Sequence, residues 1–101
     1  MALFARVTKF EDKPTGLEAA VAQFRRELAP AAKKLPGFVR AYLFVDRESG
    51  RGMAVTLWDS EEALAAGEQE AARLRGDATR AQARAGLTLW GVERYEVAVV
   101  Q

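Results

Sequence analysis

The chain has 101 residues, half of them apolar, and a formal net charge of +1 from 15 basic and 14 acidic residues. This length supports a single core, so we expect one domain over residues 1–101. The absence of a basic stripe excludes nucleic acid as a partner, and no apolar run approaches the roughly 18 residues of a membrane span.

The missing residue types restrict the chemistry further. The sequence has no Cys, His or Asn, so thiolate nucleophiles, imidazole bases and imidazole ligands to a metal or to heme are excluded. The carboxylates show no metal-ligand spacing, and we therefore expect no metal and no cofactor. The first residues do not resemble a signal peptide, which predicts a cytoplasmic protein. The 11 Arg against 4 Lys and the 20 Ala fit a thermophile or a GC-rich genome.

The first third of the chain predicts a strand followed by an interrupted helix. Residues 2–10 alternate loosely between apolar and polar types and predict the first strand. Thr15 and Glu18 have the spacing of a capping box, which predicts that the helix begins there. Apolar residues then recur on one helical face over 17–35. Pro30 removes a backbone hydrogen bond, so we expect a kink or break just before it.

The middle of the chain predicts a hairpin that is apolar on both sides. Residues 38–45 and 53–58 are rich in aromatic and β-branched types and predict the second and third strands, joined by a polar turn. Strict alternation would place Phe38 on the same face as Arg40 and Tyr42. Helices can cover only one face, so the other needs a partner, and a second copy of the chain is the simplest one. We therefore predict a homodimer whose sheets pack face to face.

The last part of the chain predicts helical segments and a final strand. Asp59 is the predicted N-cap of a second helix that ends at Gly76, and a short third helix follows over 77–85. Residues 88–100 predict the last strand, with a bulge at Gly91. The resulting order, β-α-β-β-α-β, predicts an α+β ferredoxin-like fold with a four-stranded antiparallel sheet.

The hairpin and the helix start after it carry a family resemblance. The segments Pro36-Gly37-Phe38, 46–50 and Val55-Thr56-Leu57-Trp58-Asp59-Ser60-Glu61-Glu62-Ala63 resemble the antibiotic-biosynthesis-monooxygenase family of dimeric α/β barrels. The resemblance implies a barrel-like dimer with a cavity between helices and sheet in each subunit. Some members oxidise aromatic polyketides without metal or flavin, and others bind and degrade heme.

The heme-degrading branch of that family can be compared residue by residue. Trp58 matches its strand-end Trp, which is not the catalytic one. The branch's catalytic Trp falls at Gly67, its catalytic His near Asp77, and its Asn in the first strand near Arg6. None of the three is matched, so heme degradation is disfavoured.

Five residues are candidates for contact with a ligand in such a cavity, and no catalytic residue is assigned: Trp58, Tyr42, Arg40, Gly67 and Phe24. Trp58 either staples the following helix or lines the cavity, and the two roles are compatible. Arg40 either makes a cation–π or ion-pair contact inside the dimer or anchors an anionic or phenolic ligand. Gly67 either reflects an alanine-rich composition or leaves space for a flat apolar ligand.

Three functions remain open at this stage. The favoured one is a family-like protein that holds a small apolar or aromatic molecule in the cavity. The first alternative is a cofactor-independent monooxygenase on a small aromatic substrate, with Tyr and Arg for proton transfer and oxyanion support. The second alternative is a structural dimerisation module without a ligand. The charges at Glu68, Glu70, Arg73 and Arg75 are interpreted as a solvated helix face.

Overall fold

The computed structural model describes residues 2–83 and 88–101, with side chains for 2–73 and 91–101. The elements in chain order are β1 (Leu3–Glu11), a 3₁₀ turn (Pro14–Gly16), α1 (Leu17–Gln23), a π-helical turn (Phe24–Leu28), α2 (Ala29–Lys33), β2 (Phe38–Val45), β3 (Arg51–Trp58), α3 (Glu61–Ala83) and β4 (Thr88–Val97). The strands form one antiparallel sheet in the order β2-β3-β1-β4. The predicted ferredoxin-like α+β fold is therefore confirmed. Within the described ranges, no helix combines the length and apolarity that a membrane span requires.

The first helical region changes its hydrogen-bond register just before Pro30, as predicted. The Ala29 N–H donates to the carbonyl of Phe24, five residues earlier, which closes the π-helical turn. Proline has no N–H to offer the carbonyl four residues before it, so a regular α-helix cannot run through this point unchanged. A wider turn followed by a new α segment accommodates the missing donor.

The start of this region differs from the prediction. Thr15 lies inside the 3₁₀ turn, and no side chain caps that turn or α1. Glu18 instead forms an ion pair with Arg47 in the β2–β3 turn. The chain leaves β1 through Asp12, whose Oδ1 accepts a hydrogen bond from the Lys13 N–H at 2.7 Å. The predicted capping box is therefore wrong, because the Glu18 carboxylate pairs with Arg47.

The second helical region is one continuous helix. α3 runs from Glu61 to Ala83 and passes through Gly76, so the predicted stop there and the separate helix from Asp77 are wrong. A glycine inside a helix costs only about 1 kcal/mol relative to alanine, which neighbouring good helix formers offset. The predicted end of the short helix at Ala85 lies outside the described residues.

The strand register divides the sheet into two faces, because directly paired residues point to the same side. α2 packs on β2, and α3 packs on β1 and β3. We call this side the helix face; it carries Phe4, Arg6, Thr8 and Phe10 of β1, Ala54, Thr56 and Trp58 of β3, and Val92, Arg94 and Glu96 of β4. The other side is the open face; it carries Ala5, Val7 and Lys9 of β1, Tyr42 and Phe44 of β2, Met53, Val55 and Leu57 of β3, and Glu93, Tyr95 and Val97 of β4.

Strand β2 departs from strict alternation at Val39. Phe38 pairs with Trp58, but the register has shifted by one residue at Arg40, so Val39 is a bulge. Phe38 therefore lies on the helix face and not beside Arg40, and that part of the prediction is wrong. The bulge predicted at Gly91 lies one position earlier: Gly91 pairs with Lys9 and Leu89 with Phe10, so the β1–β4 register skips residue 90.

The open face is apolar and exposed, in agreement with the two-sided apolar pattern of the sequence. The rings of Tyr42 and Phe44 stack at 5.7 Å with an interplanar angle of 20°. Phe44 and Tyr95 are each 51% exposed, a large fraction for aromatic side chains. Lys9 and Glu93 place an ion pair of 2.8 Å on the same face.

The core on the helix face centres on Trp58, the last residue of β3. Its side chain is 1% exposed, and its Nε1–H donates to the Thr56 hydroxyl at 3.0 Å. Phe38 meets the indole edge to face, with ring centroids 5.6 Å apart. Ala63 and Leu64 of α3 complete the cluster. The packing role predicted for Trp58 is therefore confirmed.

The turn after Trp58 is capped one residue later than predicted. The Ser60 hydroxyl, not Asp59, accepts the Ala63 N–H at 3.0 Å. Asp59 instead donates its N–H to the Gly37 carbonyl at 2.9 Å, which ties the helix start to the turn before β2. Both contacts fix the direction in which α3 leaves the sheet.

Gly67 allows α3 to lie directly on the indole of Trp58. A Cβ at position 67 would be 2.3 Å from Cζ2 of that ring, far inside van der Waals distance. The space that the sequence suggested as an opening for a ligand is therefore occupied by the protein's own side chain.

We expect Gly67→Ala to lower the free energy of unfolding by about 1–2 kcal/mol, because the overpacking cost exceeds the gain in helix propensity. Chemical denaturation measures the change. Gly91→Ala is the control, since among the described residues, apart from its neighbours in the chain, no atom lies within 4 Å of its new Cβ. In a Trp58→Phe background the cost of Gly67→Ala should shrink. A Gly67→Ala variant as stable as the wild type would contradict this packing.

Candidate functional site

A groove of about 850 Å³ opens on the helix face between α3 and the edge strand β4. Its volume lies within the range of small-molecule sites. The described residues that line it are Phe4, Glu61, Leu64, Ala65, Glu68, Gln69, Ala72, Arg94, Tyr95 and Glu96. Phe4 of β1 and Leu64 of α3 form the floor. Both residues also pack in the core around Trp58, so the floor is continuous with that core.

The α3 wall follows from helical periodicity. Positions 61, 64/65, 68/69 and 72 recur every three to four residues and share one side of the helix. Because Ala65 and Ala72 have small side chains, they leave the space between α3 and β4 unfilled. On the other side, Arg94 and Glu96 alternate along β4 and both point to the helix face.

An ion pair between Arg94 and Glu68 crosses the groove and joins the strand to the helix. Nε and Nη2 of Arg94 meet the two carboxylate oxygens of Glu68 in a bidentate arrangement. The Arg94 side chain is 63% exposed and that of Glu68 only 19%. The hydrogen bonds to Glu68 raise the pKa of Arg94 above its ordinary value, so the guanidinium remains charged.

Tyr95 also borders the groove, but its hydroxyl belongs to the open face. A hydrogen bond to the Glu93 carboxylate raises the pKa of the Tyr95 phenol. Hydrogen bonds from Lys9 and then from Tyr95 lower the pKa of Glu93. At neutral pH the phenol is therefore protonated and donates to Glu93, and it is not suited to act as a base.

The five candidate residues from the sequence are not among the described residues that line this groove. Trp58 and Gly67 lie together, in contact, in the adjoining core. Arg40 and Tyr42 lie on β2 at the open face, and Phe24 begins the π-helical turn, which contacts α3. A ligand role for these residues stays a prediction.

Sequence reasoning missed the pair that crosses the groove. The sequence predicts Glu68 as part of a solvated helix face, yet its side chain is only 19% exposed and pairs with Arg94. The two residues are 26 positions apart, and no local pattern links them. The signal that the sequence offered for it was the pattern on one side of α3, where the acidic residues Glu61 and Glu68 alternate with Leu64 and small residues.

Among curated proteins, the chain is similar to uncharacterised proteins of Mycobacterium tuberculosis. It is 32% identical over 101 residues to the uncharacterised protein Rv2558 of Mycobacterium tuberculosis, an alignment that covers 97% of this chain and 40% of the relative. The chain thus spans about two fifths of the length of that relative. No family model matches the chain.

Solved structures provide the comparison for the fold. SnoaB, a cofactor-independent oxygenase from Streptomyces nogalater, is 21% identical with a TM-score of 0.64, and the match covers 100% of this chain and 96% of SnoaB. A dimeric ferredoxin-like protein from an uncultured marine organism is 14% identical with a TM-score of 0.72, covering 100% and 98%. At these identities the likeness concerns the fold alone. The chain has the ferredoxin-like fold that these solved structures share.

Proposed function

We propose that this chain is a small-molecule-binding protein that holds a compact aromatic or apolar molecule in the groove between α3 and β4. The observation that carries the proposal is the groove itself, open to solvent and floored by Phe4 and Leu64. A flat apolar molecule that binds there buries its own surface and the exposed surface of the floor. Each Å² of apolar surface removed from water stabilises the complex by about 25 cal/mol. Five of the ten described lining residues carry charged or amide side chains, which can orient a ligand by hydrogen bonds: Glu61, Glu68, Gln69, Arg94 and Glu96.

The proposal includes a homodimer formed through the open face. Exposed aromatic side chains on that face, including Tyr42 and Phe44, are stacked in a contiguous patch that an isolated subunit would leave in water. The support from comparison is that a structural neighbour is a dimeric ferredoxin-like protein. The groove lies on the opposite face and stays accessible in such a dimer.

We expect the neutral fluorescent probe N-phenyl-1-naphthylamine to bind the wild type and to lose at least about tenfold in affinity in Ala65→Trp, because the new indole fills the groove. Fluorescence titration measures both. Ala66→Trp is the matched control: it adds the same side chain at an exposed neighbouring position of α3 that does not line the groove. Equal binding by the two variants would show that the probe sits elsewhere and would remove the proposal.

We expect the wild type to sediment as a dimer at micromolar concentration and Phe44→Lys to sediment as a monomer, because the new charge would have to be buried between two apolar sheets. Analytical ultracentrifugation gives both masses. Val92→Lys serves as the control, since Val92 is a comparably exposed apolar residue on the helix face. A monomeric wild type would contradict the dimer.

A second candidate function is cofactor-independent oxygenation, which the likeness to SnoaB favours. In that reaction a groove carboxylate such as Glu96 removes a proton from an activated ring CH₂ group, and the carbanion reacts with O₂. The CH₂ becomes C=O, with one oxygen atom from O₂ retained and the other released as water. Tyr95 is a poor base here because its pKa is raised and its hydroxyl faces away from the groove.

If the chain is an oxygenase, it consumes one O₂ per anthrone with a rate that falls at least about tenfold in Glu96→Gln, since the general base is removed. An oxygen electrode measures the rate. Tyr95→Phe should retain the wild-type rate. No oxygen consumption above the rate of anthrone alone would remove this second function for such substrates, and the binding function would be unaffected.

A further inference from the structure

Arg40 is an exposed cation on the open face, at the edge strand β2. Its side chain forms no hydrogen bond or ion pair within the part of the chain whose side chains are described. The proposed homodimer covers this face with a second sheet. A guanidinium enclosed there would lose its hydration, and without a carboxylate or an aromatic ring beside it nothing would compensate. The second copy therefore has to supply a partner for Arg40.

Two strand residues of the open face carry a carboxylate. Glu11 pairs with Arg51 at 3.9 Å, at the end of the sheet far from Arg40. Glu93 pairs with Lys9 at 2.8 Å, and both of these side chains are 39% exposed. The strand residues whose side chains are not described carry no charge. Because a carboxylate has about four lone-pair sites, Glu93 can accept a hydrogen bond from a second copy while it keeps Lys9.

The strand register places Arg40 and Glu93 at opposite edges of the sheet. One row of paired residues begins at Arg40 and ends at Tyr95, with Leu57 and Ala5 between them. Glu93 lies in the next row, on the same strand as Tyr95. Within one subunit, β2 and β4 are three strand spacings apart, about 14 Å, so Arg40 does not reach Glu93 of its own chain.

Two sheets that pack face to face can be related by a two-fold axis along the strands or across them. An axis along the strands, between β3 and β1, makes each row face the same row of the partner and places β2 over the partner's β4. Arg40 then lies over the partner's Tyr95, next to the partner's Glu93.

An axis across the strands makes each strand face its own copy with the rows in reverse order. Glu93 is paired with Val7, the middle residue of β1, so its row is central and Glu93 would face the partner's Glu93. Arg40 would face the partner's Phe44 and have no carboxylate beside it. Because like charges that face each other across an interface are destabilising, the axis along the strands is favoured.

We infer that the homodimer has its two-fold axis along the strands, and that Arg40 of each subunit binds Glu93 and Tyr95 of the other. The guanidinium donates to the carboxylate and lies against the Tyr95 ring, which is 51% exposed in one subunit. By symmetry the contact forms twice. This inference rests on the proposed homodimer and specifies its geometry, and it is independent of what the groove binds.

Two charge reversals test the contact, first alone and then mixed. In Arg40→Glu two carboxylates meet across the interface, and in Glu93→Lys two cations meet. We expect each variant alone to dimerise at least about tenfold more weakly than the wild type, as measured by sedimentation velocity. In an equimolar mixture, a heterodimer has opposite charges at both contacts, so we expect dimers nearly as stable as those of the wild type. Recovery in the mixture also shows that both chains fold.

Arg26→Glu is the matched control for the change in charge. It makes the same reversal at an exposed position of the π-helical turn, away from the open face. We expect it to dimerise as the wild type does.

A double-mutant cycle with Arg40→Gln and Glu93→Gln tests the same contact with milder substitutions. We expect the double variant to dimerise no more weakly than the weaker single variant, because either substitution already removes the ion pair. Since the two side chains do not meet within one subunit, such coupling can arise only between subunits. Additive effects on the dimer dissociation constant would overturn the contact.

The outcomes separate the contact from the homodimer and from the groove. If Arg40→Glu dimerises as tightly as Arg26→Glu, or if the mixture stays monomeric, the contact is overturned and the homodimer is retained. A monomeric wild type would overturn both. Binding of N-phenyl-1-naphthylamine reports on the groove, which lies on the opposite face, and its failure would leave the contact intact. Loss in each variant, recovery in the mixture and coupling in the cycle together support the inference.

Discussion

The burial of the Trp58 indole against α3 determines how the helix side of this protein is arranged. Because Gly67 has no side chain, the helix rests directly on the ring, and Ser60 and Asp59 fix the angle at which the chain turns from strand to helix. α3 is thereby held over β3 and β1, and the edge strand β4 borders open space. The groove is thus a consequence of where the helix is anchored. Leu64 links the two regions, because it belongs both to the core cluster and to the groove floor.

The fold could be predicted from the sequence because its signals are local. Alternating residues gave the strands, and the proline gave the break before α2. The errors arose where a local signal had to compete with packing. Gly76 resembles a helix stop, yet the single glycine is tolerated inside α3. Thr15 and Glu18 have capping-box spacing, but Glu18 pairs with an arginine 29 residues away.

The candidate site was less predictable for a physical reason. Because position 67 is a glycine, the sequence predicted a cavity beside Trp58. In the structure, the indole of Trp58 itself fills that space. The ion pair between Arg94 and Glu68 that crosses the groove joins the last strand to the second helical region, and no spacing rule connects these two residues. The charges at the site were visible in the sequence, but their different degrees of burial were not.

The two faces of the sheet differ in how polar groups are satisfied. On the open face, Lys9 and Glu93 form an ion pair of 2.8 Å, so a second sheet could cover the two charges as a pair. On the helix face, the pair across the groove remains exposed to water on its arginine side.

The bulge at Val39 constrains how the chain can vary in length. One additional residue in β2 allows the same strand to direct Phe38 into the helix-side core and Tyr42 toward the open face. Deleting it would rotate every residue before it to the opposite side, placing Phe38 in solvent. Substitutions in β2 are therefore easier to tolerate than insertions or deletions, and residues on the two sides of Val39 evolve under different demands. Alignments of related chains need to treat this position as a structural boundary.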